Sequence, residues 1–161
     1  MANKAGKTAG EIGFEIRDGF AESTVKGWEI LASHMNSDGI EGYHIPAMAV
    51  DGLMMIDRDA LAFEAKGFAQ LGFKMVVDQV RPLSDDTVII EMTWSGRMAS
   101  GPFSFPMPII FTVMAGKIVR AIEVCDFDTP IGREFWETMA TIGYHGGSAV
   151  NMQTGTLSAG A

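Results

Sequence analysis

The residue that points most directly to chemistry is a single glutamate, Glu123, in the stretch GKIVRAIEVCDF at 116–127. The two-residue period of this stretch indicates a β-strand whose successive side chains point to opposite faces. One face would carry Glu123 together with Val119, Ala121, Cys125 and Phe127. The other, mixed face would carry Ile118, Arg120, Ile122, Val124 and Asp126 and could meet solvent or a partner chain. A carboxylate on the first face must find hydrogen-bond donors or stay protonated, because desolvation raises its pKa. Glu123 is therefore the leading candidate for proton transfer. The alternatives are a structural carboxylate held by a buried arginine, a tyrosine or backbone amides, or a strand whose register is shifted by a bulge.

A second stretch with the same period, Thr87 to Met98, would line the same interior. Its inward face carries Val88, Ile90, Met92 and Trp94. An indole supplies an apolar wall and one hydrogen-bond donor, so Trp94 is a candidate substrate-binding residue, with Met92 and Cys125 beside it. Core packing alone is the alternative for these residues. Trp28, on the apolar face of a predicted helix, is a further candidate for the pocket wall.

Tyr43 and His44 are adjacent in a short extended segment, so only one of them would face the interior. Either side chain could act as an acid or a base, and a surface or capping role is the alternative for the histidine. Three scattered histidines and one cysteine lack the spacing of a metal site. No phosphate-binding loop or nucleophile elbow is present either, so we expect neither a metal nor a cofactor.

Periodicity and turn residues predict four helices and six strands. The helices are expected at about 10–22, at 24–35 after a cap at Ser23 or Thr24, at 58–71 and at 131–142. The strands are expected at 40–45, 53–56, 73–81, 87–98, 103–114 and 117–127. Helices followed by an antiparallel meander are typical of an α+β domain with helices on one face of a sheet.

Two prolines, Pro106 and Pro108, interrupt the predicted strand at 103–114. The amide hydrogens that they lack would have pointed toward the same neighbouring strand, so that side cannot form a complete ladder. An edge or bulge explains this spacing, and the alternative is a kink that curves the sheet around a cavity.

Length and charge limit the classes of protein that fit. The chain has 161 residues and a formal net charge of −8, and 47% of its residues are hydrophobic. We expect one domain over residues 1–145, followed by a tail at 146–161 that is flexible or covers a pocket. The chain has no run of basic residues, so nucleic acid and anionic membranes are not expected partners. A single cysteine and the lack of a long apolar segment favour a cytoplasmic protein.

The order of predicted elements, with the turn and strand at 116–127, resembles the nuclear transport factor 2-like superfamily, and within it the SnoaL-like branch. The resemblance covers about residues 10–128. It implies an α+β fold in which N-terminal helices wrap a cone-shaped, curved and mainly antiparallel sheet, as in cystatin-like proteins, around an apolar pocket. It also implies a homodimer formed through the sheet. Members of the superfamily include ketosteroid isomerases, polyketide cyclases, scytalone dehydratases, limonene epoxide hydrolases and non-enzymatic proteins.

The resemblance also implies roles for individual positions. Glu123 falls where epoxide hydrolase-like members have a pocket aspartate, whereas Met92 and Trp94 stand where those members have an arginine and an aspartate. The first-helix tyrosine of ketosteroid isomerases falls near Phe14, their oxyanion-holding acid near Ile110, and their base around Tyr43 and His44.

The predicted function is that of a cofactor-independent enzyme acting by proton transfer on a hydrophobic cyclic small molecule, of the isomerase, cyclase, dehydratase or hydrolase type. Glu123 would exchange the proton, with His44 or Tyr43 as the complementary group. The pocket wall would be formed by Trp94, Met92, Trp28, Phe14 and Cys125. The alternative is a non-catalytic module of the same fold that binds an apolar ligand or dimerises.

Overall fold

The helices and strands follow the order that the sequence predicts for an α+β domain. The computed structural model describes residues 6–45, 54–56, 58–142, 150–151 and 156–157. Within these ranges the helices are α1 (Ala9–Glu22), α2 (Thr24–His34), α3 (Arg58–Leu71) and α4 (Pro130–Ala140). The strands of the same ranges are β1 (Ile40–Ile45), β2 (Met54–Ile56), β3 (Lys74–Pro82), β4 (Thr87–Met98), β5 (Gly101–Pro106), β6 (Ile109–Met114), β7 (Lys117–Val124), β8 (Val150–Asn151) and β9 (Thr156–Leu157).

Residues at the helix ends explain where the helices begin and end. The Ser23 side chain accepts a hydrogen bond from the Lys26 amide and caps α2, as the sequence predicts. Gly72 follows α3 with a φ of 69°, a left-handed conformation that costs glycine little. At α4, the Thr129 side chain accepts a hydrogen bond from the Gly132 amide, and Pro130 occupies the first turn, where its missing amide is not needed.

The strands form one curled, open and mixed sheet, as expected for a cone. Their order is β3-β4-β6-β7-β1-β2-β8-β9, with β5 also paired to β4. The pairings are antiparallel except that β1 runs parallel to β7. The parallel pair brings residues from near the N-terminus beside the end of the meander, which is how Tyr43 and His44 come to lie next to the strand of Glu123. Strands β8 and β9 lie in the predicted tail at 146–161. The other residues of this tail lie outside the described ranges.

The proline pair divides the predicted strand 103–114 into β5 and β6 without changing its register on β4. Pro106 pairs with Thr93, Ile109 pairs with Ile90, and between them the Met107 amide donates to the Met92 carbonyl at 2.8 Å. The amides missing at positions 106 and 108 would point away from β4, toward β7. Accordingly, within the described residues β7 pairs with β6 but not with β5, and no strand lies beside β5 on that side. The ladder is therefore incomplete where the sequence predicts.

A bulge in β7 corrects the predicted strand faces. Val113 pairs with Ile118 while its neighbour Thr112 pairs with Arg120, which leaves Val119 as an extra residue. Ile118 therefore faces inward and is fully buried, although simple alternation places it on the outer face. That prediction is wrong because alternation along one strand cannot show an extra residue relative to its partner. Beyond the bulge, Ala121 returns to the inner face and is buried.

The core lies between the inner face of the sheet and the helices. Helix α1 packs against α2, β3 and β4, and α2 packs against α3. The largest fully buried side chains come from helices and strands alike; they are Trp94, Phe68, Phe135, Ile12, Ile16, Met35, Met75, Ile90, Met107, Ile118, Met139 and Val88. Helix α4 contributes Phe135 and Met139 to this core, which makes it part of the cone's interior wall.

Candidate ligand site

Glu123 lies on the inner face of the sheet, in a row of paired strand positions. It pairs with Ile109 of β6 on one side and with His44 of β1 on the other. Ile109 is buried, as is Ala121, the residue two positions earlier on the face of Glu123. Strand positions paired in register share a face, so position 44 belongs to the inner face beside Glu123. The Glu123 side chain is half-buried, and the side chain of His44 lies outside the described residues.

Tyr43 lies on the opposite, outer face of the sheet. It pairs with Ile122, and the Arg120 guanidinium carbon is 6.0 Å from the centroid of its ring. Arg120 itself donates two hydrogen bonds to the Glu41 carboxylate, at 2.9 and 3.0 Å. The structure therefore separates Tyr43 from Glu123, since neighbouring residues of one strand alternate between faces. Of the two adjacent candidates, it is position 44 that the fold brings to Glu123.

Met92 and Trp94 lie farther along the inner face, in a shell of aromatic rings. The centroid of the Trp94 ring is 5.0 Å from that of Phe68 and 5.5 Å from that of Phe135. Trp94 is 2% exposed, and its indole Nε1 has no acceptor among the described residues. Trp94 is thus packed as a core residue, which is the alternative that the sequence leaves open for it.

Helix α4 closes this interior with Phe135, a role that the sequence prediction did not assign. Phe135 is fully buried, and its ring centroid lies 5.1 to 6.0 Å from those of Phe68, Phe73, Trp94, Phe103, Phe105, Phe127 and Trp136. The helix is fastened by Glu134, whose carboxylate accepts hydrogen bonds from the amide and hydroxyl of Ser100. These hydrogen bonds lower the pKa of Glu134. The four-residue spacing of Phe135 and Met139 is the sequence signal for this buried face.

A cleft lies beside Pro106, where the ladder between β6 and β7 ends, between β5 and the start of α4. Its volume is about 380 Å³. Apolar residues form most of its lining, and Asp126 and Thr129 are polar; the residues are Phe105, Pro106, Val124, Cys125, Asp126, Phe127, Thr129, Ile131 and Gly132. This size lies within the range of small-molecule sites. The proline pair thus explains the position of the cleft, because it ends the ladder that would otherwise fill this space.

Cys125 lies in this cleft as an un-ionised thiol. Burial raises its pKa to about 11, with smaller contributions from the negative charges of Glu123 and Asp126. A thiol with this pKa is a poor nucleophile near neutral pH, because only the thiolate attacks. Cys125 therefore serves as an apolar wall at this end of the cleft. The influence of Glu123 on this thiol also places the carboxylate within electrostatic reach of the cleft.

The structure does not bring Trp28 and Phe14 to Glu123. Trp28 is buried between the helices, and its ring centroid is 6.0 Å from that of Phe20 and 6.1 Å from that of Phe68. Phe14 is 40% exposed on α1, where its ring lies under the Arg17 guanidinium at 5.0 Å. Trp28 contacts the aromatic interior through Phe68, whereas Phe14 lies on the exposed side of α1.

Two buried polar residues were missed by the sequence analysis. Glu64 of α3 is 5% exposed and lies one turn before Phe68, so its face of the helix is the buried one. His34 is buried at the end of α2, with Nε2 2.7 Å from a carboxylate oxygen of Glu15. The pKa of Glu15 is lowered chiefly by the hydrogen bond from Lys7, and His34 adds to this effect. His34 is thus part of a hydrogen-bonded cluster on α1 and α2 with Glu15 and Lys7.

Within the described residues, the side chains form no metal site and the helices are not suited to a membrane. No group of three or more His, Cys, Asp or Glu side chains in these ranges is placed to hold a metal ion. None of the helices in the same ranges has both the length and the apolar character required to cross a bilayer.

Comparison with known proteins identifies the fold. No protein-family model and no curated protein sequence matches the chain. A Pseudomonas putida protein provisionally named a polyketide cyclase matches with a TM-score of 0.55 and 14% identity, over 83% of this chain and 98% of its own. A ketosteroid isomerase-like protein from Catenulispora acidiphila, solved with trimethylamine, gives a TM-score of 0.54 and 14% identity over 78% and 92%. TerC, crystallised with polyporic acid, gives 0.51 and 18% over 81% and 96%. The chain therefore has the nuclear transport factor 2-like fold of the ketosteroid isomerase-like and polyketide cyclase-like structures, as the sequence resemblance predicts.

Proposed function

We propose that the protein is a cofactor-independent enzyme that acts by proton transfer on a hydrophobic cyclic small molecule. The observation that carries this proposal is the row formed by His44, Glu123 and Ile109 on the inner face of the sheet. In this row the half-buried carboxylate of Glu123 lies between position 44, which is a histidine, and the apolar residue Ile109. Glu123 would exchange a proton with the substrate, and His44 would supply the complementary acid or base.

The surroundings of Glu123 support an apolar substrate. The cleft beyond Glu123 is lined by Phe105, Phe127 and the un-ionised Cys125, so an anion would lose hydration there without a compensating positive charge among the lining residues. A neutral cyclic ketone, enone or related ring fits these features. Two structures of the same fold were solved with small molecules, trimethylamine and polyporic acid, which supports a small-molecule ligand in this fold.

A deuterium-exchange screen tests the proposed reaction. The protein is incubated in D₂O with a panel of hydrophobic cyclic ketones, enones and epoxides, and mass spectrometry follows exchange, isomerisation and hydration of each compound. We expect at least one compound to be turned over, with Glu123→Gln lowering kcat by roughly 10²-fold and changing KM little. Glu41→Gln is the matched control, because Glu41 lies on the outer face in an ion pair with Arg120. Equal turnover by wild type and Glu123→Gln would remove Glu123 from the mechanism.

A second candidate function is non-catalytic binding of an apolar ligand, and the position of Phe135 favours it. The ring of Phe135 occupies the middle of the aromatic interior, where a substrate ring would otherwise pack. A protein whose interior is filled in this way would bind its ligand only in the cleft beside Cys125. The same screen separates the two functions: a ligand that binds with saturation and is recovered chemically intact supports binding alone.

We also propose that the protein is a cytoplasmic homodimer. The resemblance implies pairing through the sheet, and the outer face carries the half-buried Ile122 and the exposed Val124. Ile118 no longer supports this proposal, because the β7 bulge turns it into the core.

A further inference from the structure

A groove separate from the Glu123 site lies on the outer side of the helices, between α2 and α3. Its volume is about 290 Å³. One wall comes from α2, with Val25, Trp28, Glu29 and Ala32, and the other from α3, with Arg58, Leu61, Ala62, Ala65, Lys66 and Ala69. The described lining residues of this groove and of the cleft beside Cys125 do not overlap. The groove therefore requires its own explanation.

Small side chains create the groove. Residues three and four apart share one face of a helix, so Ala62, Ala65 and Ala69 form a row on α3 that faces Ala32 and Trp28 of α2. Alanine has no side chain beyond Cβ, so two packed helices leave a gap where alanines face each other. Trp28 and Leu61 are buried and form the apolar floor.

The rim of the groove carries an excess of positive charge. Arg58 and Lys66 belong to the α3 wall, and Glu29 is the acidic lining residue on α2. Glu29 is already paired with Lys26 at 3.4 Å, and Arg58 donates to the Met35 carbonyl at 3.3 Å. Lys66 has no ion-pair partner in the part of the chain that the structure describes. An exposed ammonium beside an apolar trough favours a ligand with one anionic group and an apolar body.

We infer that the groove between α2 and α3 binds an amphipathic monoanion, a small molecule with an apolar ring system and one carboxylate or sulfonate. The ring system would lie on Trp28, Leu61 and the alanines, and the anionic group would face Lys66. The volume suits two fused or linked rings rather than a long chain. The inference does not depend on Glu123 or on the proposed enzymatic reaction.

Fluorescence titration with 8-anilinonaphthalene-1-sulfonate tests this inference, with N-phenyl-1-naphthylamine as the neutral analogue. We expect saturable binding of the sulfonate to the full-length wild-type protein. Ala62→Leu fills the groove from an exposed position, so it should weaken both probes about tenfold or more while the melting temperature stays unchanged. Lys66→Gln should weaken only the sulfonate, about two- to fivefold, and this difference should vanish in 0.5 M salt. Lys74→Gln, an exposed lysine on β3, is the control and should change neither probe.

Three results would overturn the inference. They are the absence of saturable sulfonate binding, an affinity in Ala62→Leu equal to that of wild type, and equal effects of Lys66→Gln and Lys74→Gln. Sulfonate binding that survives Ala62→Leu would place the probe elsewhere, for example in the cleft beside Cys125. That outcome would refute the groove site and leave the proposed function at Glu123 untouched.

Discussion

His44 lies opposite Glu123 where β1 and β7 run parallel, although the two residues are far apart in the sequence. The adjacent Tyr43 pairs instead with Ile122 and lies near Arg120 on the outer face. The strand pairing therefore shows that His44, and not Tyr43, shares a face with Glu123. Alternation along one short segment predicts only that the two residues lie on opposite faces. This pairing is the basis of the first prediction.

Substitutions at positions 43 and 44 should have unequal effects on turnover of any substrate found in the screen. His44→Gln removes the proposed partner of Glu123, and we expect it to lower kcat about 10- to 100-fold, the range for loss of a general acid or base. Tyr43→Phe removes only a hydroxyl from the outer-face residue, and we expect less than a twofold change. Steady-state kinetics of both variants, with folding checked by circular dichroism, measures the difference. A larger loss in Tyr43→Phe would contradict the assignment.

The reactivity of Cys125 should report the charge on Glu123. With a pKa of about 11, the thiol is almost wholly protonated at pH 8. Alkylation by iodoacetamide should therefore be slower than that of free cysteine by roughly a hundredfold and should accelerate as the pH rises toward 11. Glu123→Gln removes a negative charge, so it should lower the pKa of the thiol and speed alkylation at pH 8.

Mass spectrometry of the intact protein over a pH series measures both alkylation rates. Glu41→Gln is the control, since its charge lies on the outer face beside Arg120. A rate at pH 8 equal to that of free cysteine would show that the thiol is not shielded. Equal rates in Glu123→Gln and Glu41→Gln would show that Glu123 does not act on this thiol.

Local rules predicted most of the architecture. The strand Thr87–Met98 has the predicted bounds, since its alternation matches one buried face throughout. The α2 cap at Ser23 and the stop at Gly72 also follow from local chemistry. The missing ladder beside Pro106 and Pro108 was predictable because proline cannot donate, whatever strand lies next to it.

Features that depend on a partner strand or helix were not predictable in this way. The β7 bulge is defined only by the pairing of Val113 with Ile118, so the buried state of Ile118 was missed. The interior role of Phe135 depends on where α4 docks, and its sequence gives only a buried face of a short helix. Glu64 was missed for the same reason: nothing in the α3 sequence shows that a carboxylate stands on the packed side.

Phe135 should contribute far more to stability than an exposed phenylalanine. Its ring is fully buried among aromatic side chains, so Phe135→Ala removes those contacts and leaves a cavity. We expect the free energy of unfolding to fall by about 3–5 kcal/mol. Phe14→Ala, on a ring that is 40% exposed, is the matched control and should cost less than about 1 kcal/mol. Urea denaturation of the two variants measures both values, and similar losses would show that α4 does not dock in the interior.

The outer face of the sheet should carry the homodimer interface. Tyr43, Ile122, Ile110 and Ile89 pair in register across four neighbouring strands, β1, β7, β6 and β4, and form one apolar row. All four are half-buried, and a continuous row of this kind on an outer face is typical of a surface that another chain covers.

Sedimentation equilibrium at micromolar concentration measures the assembly directly. We expect wild type to sediment as a dimer and Ile122→Lys as a monomer, because a lysine in the centre of the row would have to be buried without a partner. Val25→Lys, at an exposed position on α2, is the control and should remain dimeric. A wild-type monomer would refute the homodimer, and a dimeric Ile122→Lys would move the interface away from this row.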